Sequence, residues 1–142
     1  MARVLVTGPR RRIGLATAIE LARRGHNVVG GVRRTAQLDE LRARASEAGF
    51  PIEGVALDVT DPDSIRTAAG AVTGSGPLDA VVNNAAILPV GPVELMDVDV
   101  IRETFEANVV GPMVLAGAVF PRCGRTAAEG SSPCPRGRAM HA

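Results

Sequence analysis

Apolar residues recur along this chain in two alternating rhythms. Arg3 to Thr7 carries the unbroken run Val4-Leu5-Val6 and ends at Gly8, which predicts a short buried strand. From Ile13 onward Ile13, Ala16, Ile19 and Leu21 to Ala22 recur at helical spacing until Arg23-Arg24-Gly25, where basic residues and a glycine signal a helix C-terminus. Asn27 to Val32 predicts a second strand. Thr35 to Ala48 predicts a second helix, with Leu38, Leu41 and Ala45 on one side, arginines on the other, and Gly49 closing it. The pattern then repeats: a third strand over Ile52 to Leu57, and a third helix over Asp61 to Val72 that opens with an N-cap aspartate and Pro62. After the Gly74-Ser75-Gly76-Pro77 turn comes a fourth strand, Asp79 to Val82, apolar on both faces as in a sheet covered by helices on both sides. Asp99 to Phe120 predicts a long helix, bent at Gly111-Pro112 because proline removes a ladder bond. From Pro121 to Ala142 the periodicity stops.

Strands alternating with helices at this spacing imply a doubly wound α/β fold with a parallel, Rossmann-type sheet and right-handed crossovers, cut short after the fourth strand and the long helix that follows it. The expected organisation is one incomplete nucleotide-binding domain over residues 1–120 and an irregular tail over 121–142. With nothing beside it, the fourth strand is expected to be an apolar edge, a feature that favours association or aggregation.

Composition narrows the chemistry. The chain has 142 residues and a formal net charge of +1, so no basic footprint points to nucleic acid, and small anionic ligands stay open. The apolar run near the N-terminus is far too short for a signal core or a membrane span, and a soluble, cytoplasmic protein is expected. Cys123 and Cys134 lack metal-ligand spacing, so no metal site is expected. Two absences weigh more: there is no tyrosine, and no lysine either, so all 16 basic residues are arginine.

The stretch Thr7-Gly8-Pro9-Arg10-Arg11-Arg12-Ile13-Gly14 joins the first strand to the first helix. Such a turn presents backbone N–H groups and the positive end of a helix dipole to an anion. Gly8 permits the tight turn and Gly14 close packing; the same glycine pair could also serve packing alone. Asp58-Val59-Thr60, then Asn83-Asn84-Ala85-Ala86, then Asn108-Val109-Val110-Gly111 follow in order, each just beyond a strand end or within the next helix. By themselves Asp58 reads equally as a capping carboxylate, and the asparagines as turn residues.

Together these four segments resemble the short-chain dehydrogenase/reductase family over Arg3 to Phe120. The resemblance implies that Thr7, Gly8, Arg11, Arg12, Ile13 and Gly14 hold a pyrophosphate, that Asp58 and Val59 contact adenine, and that Asn83 and Ala85 form the central strand's cofactor edge. It further implies that Asn108 is an active-site asparagine holding a water relay. Two positions depart from the family pattern: Arg12 replaces the middle glycine of TGxxxGxG, a variant similar to pteridine-reductase-like members, and Ala86 replaces the last glycine of NNAG. At the end of the second strand an acidic residue suits the ribose hydroxyl of NAD, whereas arginine suits a 2′-phosphate. Here that end reads Gly30-Gly31-Val32-Arg33-Arg34, with no carboxylate before Asp39. Arg33, with Arg11 across the turn, can pair with a phosphate bidentately, so NADP is expected rather than NAD.

Catalysis is where the resemblance stops. Family members protonate the developing alkoxide with a tyrosine tuned by a lysine, beside a serine, and only Asn108 of that set is present; this chain by itself is expected to be inactive. Read one base earlier, the codons allowed for 121–142 permit small and basic residues, then two of Val, Ile, Leu or Phe, a small residue, Val, Leu or Met, and Ser or Pro. That order is compatible with the family's fifth strand and serine, so a frameshift near Phe120 is one origin for the tail; a natural short variant or a designed truncation are the others. Three functions stay open: an NADP-dependent oxidoreductase cut before its catalytic pair, a non-catalytic dinucleotide-binding module that pairs with itself or a relative through the helix 99–120, and a non-functional remnant.

Overall fold

The computed structural model describes residues 1–120 and the backbone of 138–141. Of the tail expected to be irregular, 121–142, residues 121–137 with Cys123 and Cys134 lie outside the described residues, whereas Arg138–His141 forms a strand. The element order is β1 (Arg3–Thr7), α1 (Arg12–Arg23), β2 (Asn27–Val32), α2 (Gln37–Glu47), β3 (Glu53–Ala56), α3 (Pro62–Gly74), β4 (Ala80–Asn83), α4 (Val98–Phe105), α5 (Gly111–Val119) and β5 (Arg138–His141). A single turn of 3₁₀ helix, Val93–Leu95, precedes α4, and a π-helical turn, Glu106–Val110, separates α4 from α5.

The strands form one parallel sheet in the order β3-β2-β1-β4-β5. Registers run Arg3 to Thr7 against Asn27 to Gly31, and Val4 to Val6 against Ala80 to Val82. Because side chains alternate across a strand, the two faces separate cleanly. Leu5, Val29 and Val81 pack with Ile65, Ala68, Ala69 and Val72 of α3 and Leu115 and Val119 of α5. On the other face Val4, Val6, Val28 and Val82 pack with Ala18 of α1 and Leu41 and Ala45 of α2. Each fully buried aliphatic side chain contributes about 1.5–3 kcal/mol, which makes these two clusters the main stabilising force. The result is the Rossmann-type doubly wound architecture, with helices on both faces.

Two expectations are corrected. β4 is not an edge: β5 pairs with it in parallel, Ala80 to Asn83 against Arg138 to His141. Four residues carry too short a period to be read as a strand from sequence, and pairing needs only extended backbone. The long helix is also not simply bent at Gly111-Pro112. The backbone stays helical from Val98 to Val119, but one turn before Gly111-Pro112 it widens into the π-helical turn Glu106–Val110 that separates α4 from α5. Pro112 has no N–H for the carbonyl four residues back and its ring crowds that carbonyl, so the turn ahead of it widens. Gly111 then lies directly against the backbone of Val59, where a Cβ would overlap the carbonyl. Among the described residues no helix is long and apolar enough to cross a membrane.

Candidate nucleotide site

Thr7, the last residue of β1, organises the C-terminal edge of the sheet. It is buried, and its Oγ1 accepts from the N–H groups of Asn84 and Ala85, both at 2.9 Å, while donating to the Val82 carbonyl at 3.4 Å. Asn84 returns the connection: its Nδ2 donates to the carbonyls of Thr7 at 2.9 Å and Gly8 at 3.1 Å. Each such bond contributes about 1 kcal/mol net, and together they tie the glycine turn to the end of β4. Asn84 is a residue that sequence reasoning left as a turn former; the adjacent asparagines drew notice, but nothing in one sequence says which of them turns inward.

The turn itself is shaped by close approach. Gly8 has φ 65 and lies where an added Cβ would come within 3.1 Å of the Ala85 Cα. A Cβ at Gly14 would stand 2.6 Å from the Gly8 carbonyl oxygen and would overlap the Asn84 carboxamide. Arg12 takes φ 49, the left-handed region, where a non-glycine side chain is strained by about 1 kcal/mol or more. The N-terminus of α1 is left open: its N-cap, Arg11, makes no side-chain cap bond, the first turn holds no acidic residue, and the N–H groups of Arg12, Ile13 and Gly14 have no protein acceptor among the described residues. Open N–H groups, a positive dipole end and arginines on both sides together make an anion cradle.

The cleft beside this turn has two adjoining lobes. One is lined by Gly31, Leu57, Asp58, Val59, Thr60, Ile87 and Ala107; the other by Arg10, Arg11, Val32, Gln37 and Asn84; Gly8, Arg33, Ala85 and Ala86 line both. Both lie at the C-terminal ends of the strands, where doubly wound sheets bind ligands. A hollow of about 540 Å³ lined by Asn27, Val28, Ile52 and Glu53 sits at the opposite ends, so size alone does not mark the site.

Two of the arginines lining the cleft are paired with carboxylates. Arg33 donates through Nε to Asp58 Oδ2 at 2.7 Å, and Arg10 faces Glu40 at 3.7 Å. Arg11, Arg12 and Arg34 have no carboxylate partner among the described residues. Asp58 Oδ1 accepts from the Thr60 N–H at 3.0 Å and hydroxyl at 2.7 Å. Burial by itself would raise the Asp58 carboxyl; the Thr60 bonds and the Arg33 guanidinium more than offset it, and the group titrates below the usual aspartate value. Val59 is buried under Gly111, and Ile13 is 69% exposed.

Asn83 and Asn108 lie further along the same edge. Asn83 Oδ1 is buried with no hydrogen-bond partner among the described residues. Asn108, in the π-helical turn, has its carboxamide fully engaged with one residue: Oδ1 accepts from the Ile87 N–H at 2.9 Å and Nδ2 donates to the Ile87 carbonyl at 2.8 Å. That pairing copies a strand ladder and fixes the segment leaving β4. Among the described residues no cluster of histidine, cysteine or carboxylate side chains could hold a metal ion.

The sequence pattern that defines the short chain dehydrogenase family matches residues 2–131. The chain belongs to that family. An uncharacterized oxidoreductase of Myxococcus xanthus is 36% identical to this chain over 119 residues, which cover 83% of this chain and 47% of that protein. Retinol dehydrogenase 8 of Bos taurus is 33% identical over 122 residues, covering 83% and 39% of the two chains. Among solved structures, an actinorhodin polyketide ketoreductase with NADPH superposes with a TM-score of 0.82 at 27% identity, over 99% of this chain and 52% of that one. A gluconate 5-dehydrogenase from Burkholderia cenocepacia, in complex with NADP and tartrate, gives a TM-score of 0.75 at 30% identity, over 83% and 47%. The chain thus spans about half the length of these relatives, or less.

Proposed function

We propose that this chain is the NADP-binding part of a short-chain oxidoreductase and that it binds the dinucleotide without turning over a carbonyl substrate. The observation that carries the reading is the uncapped, arginine-flanked N-terminus of α1, reached through a glycine with φ 65. An anion there completes the hydrogen bonding that the helix lacks, so Thr7, Gly8 and Arg11 to Gly14 would hold the pyrophosphate. Asp58 and Val59 would receive the adenine, Asn83 and Ala85 would form the edge along which the cofactor lies, and Arg33 with Arg11 would take the 2′-phosphate. Guanidinium groups at that end, with no carboxylate at Val32, favour NADP over NAD.

When bound, the nicotinamide supplies or takes up a hydride. The chain's own residues orient it but offer no tyrosine or lysine to move the accompanying proton. Asn108 would act by positioning: with both halves of its carboxamide engaged by Ile87, it holds the strand exit rather than a water. Titration with NADPH and NADH, followed by nucleotide fluorescence, tests the reading. NADPH is expected to bind about tenfold or more tightly than NADH. Binding of neither at millimolar concentration overturns the cofactor assignment, and carbonyl reduction by the pure chain overturns the non-catalytic part.

We infer also that the chain pairs through α4 and α5. Phe105 is 62% and Met113 70% exposed, on the segment where Val109, Val110 and Val114 are exposed as well, and an apolar strip of this kind is covered in most soluble proteins. Sedimentation should show a dimer or larger species that Phe105→Glu with Met113→Glu converts to monomer.

A further inference from the structure

Arg33 stands in both lobes of the cleft, and an ion pair puts it there. Its partner Asp58 is rigid: Oδ1 is held by the Thr60 N–H and hydroxyl, and the Asp58 N–H donates to Ser64 Oγ at 2.9 Å. Arg33 is attached to Asp58 only through Nε, and its side chain is 59% exposed against 23% for the carboxylate. The arginine is therefore the movable half of the pair. The lobe it crosses is otherwise floored by apolar groups, Gly31, Leu57, Val59 and Ala85, a surface suited to a flat heteroaromatic base. A purine carrying an exocyclic amine needs an acceptor there, and the acceptor it meets is Asp58 Oδ2, the atom that Arg33 Nε occupies.

Resting on the dinucleotide reading above, we propose that Arg33 and Asp58 form a latch across the base slot, opened by a phosphate ester on the adjoining ribose. The phosphate draws the guanidinium into the lobe where Arg11 has no carboxylate partner among the described residues, and Asp58 Oδ2 then accepts from the base amine. A dinucleotide without that phosphate must break the same pair and put nothing in its place. Preference for the phosphorylated cofactor then has two sources, attraction by the arginines and an ion pair that the other cofactor leaves unreplaced. Without a latch, Arg33 and Asp58 act independently, and removing Arg33 leaves NADH binding unchanged or weaker.

The full chain, Arg33→Ala, Asp58→Asn and the double variant are titrated with NADPH and NADH, with folding checked by circular dichroism. Arg33→Ala is expected to lose NADPH affinity yet bind NADH up to about fivefold more tightly, the upper end for an exposed ion pair. In the Asp58→Asn background the same substitution should leave NADH binding unchanged, because no latch remains to open. If Arg33→Ala binds NADH no better than the unsubstituted chain, the latch is overturned while the NADP reading stands, and this holds even if Asp58→Asn fails to fold. If the unsubstituted chain binds neither dinucleotide, both ideas fall together.

Discussion

The N-termini of α1 and α3 meet the same physical problem in opposite ways. α3 is closed by its own residues: Asp61 accepts from the Asp63 N–H at 2.9 Å, Pro62 sits in the first turn where a missing N–H costs nothing, and Asp63 complements the dipole. α1 has no cap bond, no acid in its first turn, and a non-glycine residue at φ 49. One end is finished by the fold; the other keeps its N–H groups open among the described residues. α4 follows the first pattern, with Asp97 accepting from the Asp99 N–H at 2.8 Å. Of these three helix ends, the open one faces the cleft.

The contrast can be broken most severely at the glycines. Gly14→Ala forces a methyl into the Asn84 carboxamide and the Gly8 carbonyl, and is expected to cost about 2–3 kcal/mol in a denaturant melt and to abolish NADPH binding. Gly70→Ala, in α3 where nothing lies within 4 Å of the added Cβ, should instead stabilise by about 0.5–1 kcal/mol with NADPH affinity unchanged. A similar loss at both sites would mean that the two helices do not differ as described.

Exchanging the caps sharpens the comparison. Asp61→Ala should cost about 1 kcal/mol in thermal unfolding and leave nucleotide affinity alone. Arg11→Asp gives α1 the cap it lacks, on extended backbone at φ −146, and should stabilise the free chain by about 1 kcal/mol while weakening NADPH about tenfold or more. Arg12→Gly relieves the left-handed strain, and a gain of up to about 1 kcal/mol is expected from the same melts.

The smallest effect concerns acid. Asp58 titrates below the usual aspartate value, so its contribution to stability is complete above the unfolded-state value and is lost as pH falls through the lowered folded one. Asp58→Asn should flatten that acid limb of the stability profile, measured by denaturant melts across pH, and leave the neutral region without a slope of its own.

How far the sequence carried this reading varies with the kind of interaction. The first four strands and the helices between them were legible, because a period of two or 3.6 residues is a direct consequence of backbone geometry. The glycine turn was legible for the same reason, as local chemistry between a strand and a helix. The pairing of Arg33 with Asp58 was not, since it joins the ends of β2 and β3 across 25 positions and either residue alone reads as surface or cap. Asn84 and Asn108 were visible as asparagines but not as clamps: their bonds reach Thr7 and Gly8 in one case and Ile87 in the other. β5 and the π-helical turn were missed because a short strand has little period, and proline alone does not say whether a helix kinks or widens.

Local pattern alone settled which segments are strands and helices, that the sheet is parallel and double-covered, and that an arginine-rich glycine turn sits at its edge; those features depend on neighbours a few residues apart. Only the folded chain decided which carboxylate faces which guanidinium, which asparagine ties the turn to β4, and that α1 is left uncapped. These depend on where the strand ends come to rest beside one another, and side-chain hydrogen bonds of about 3 Å are too short-ranged to be written in any one segment.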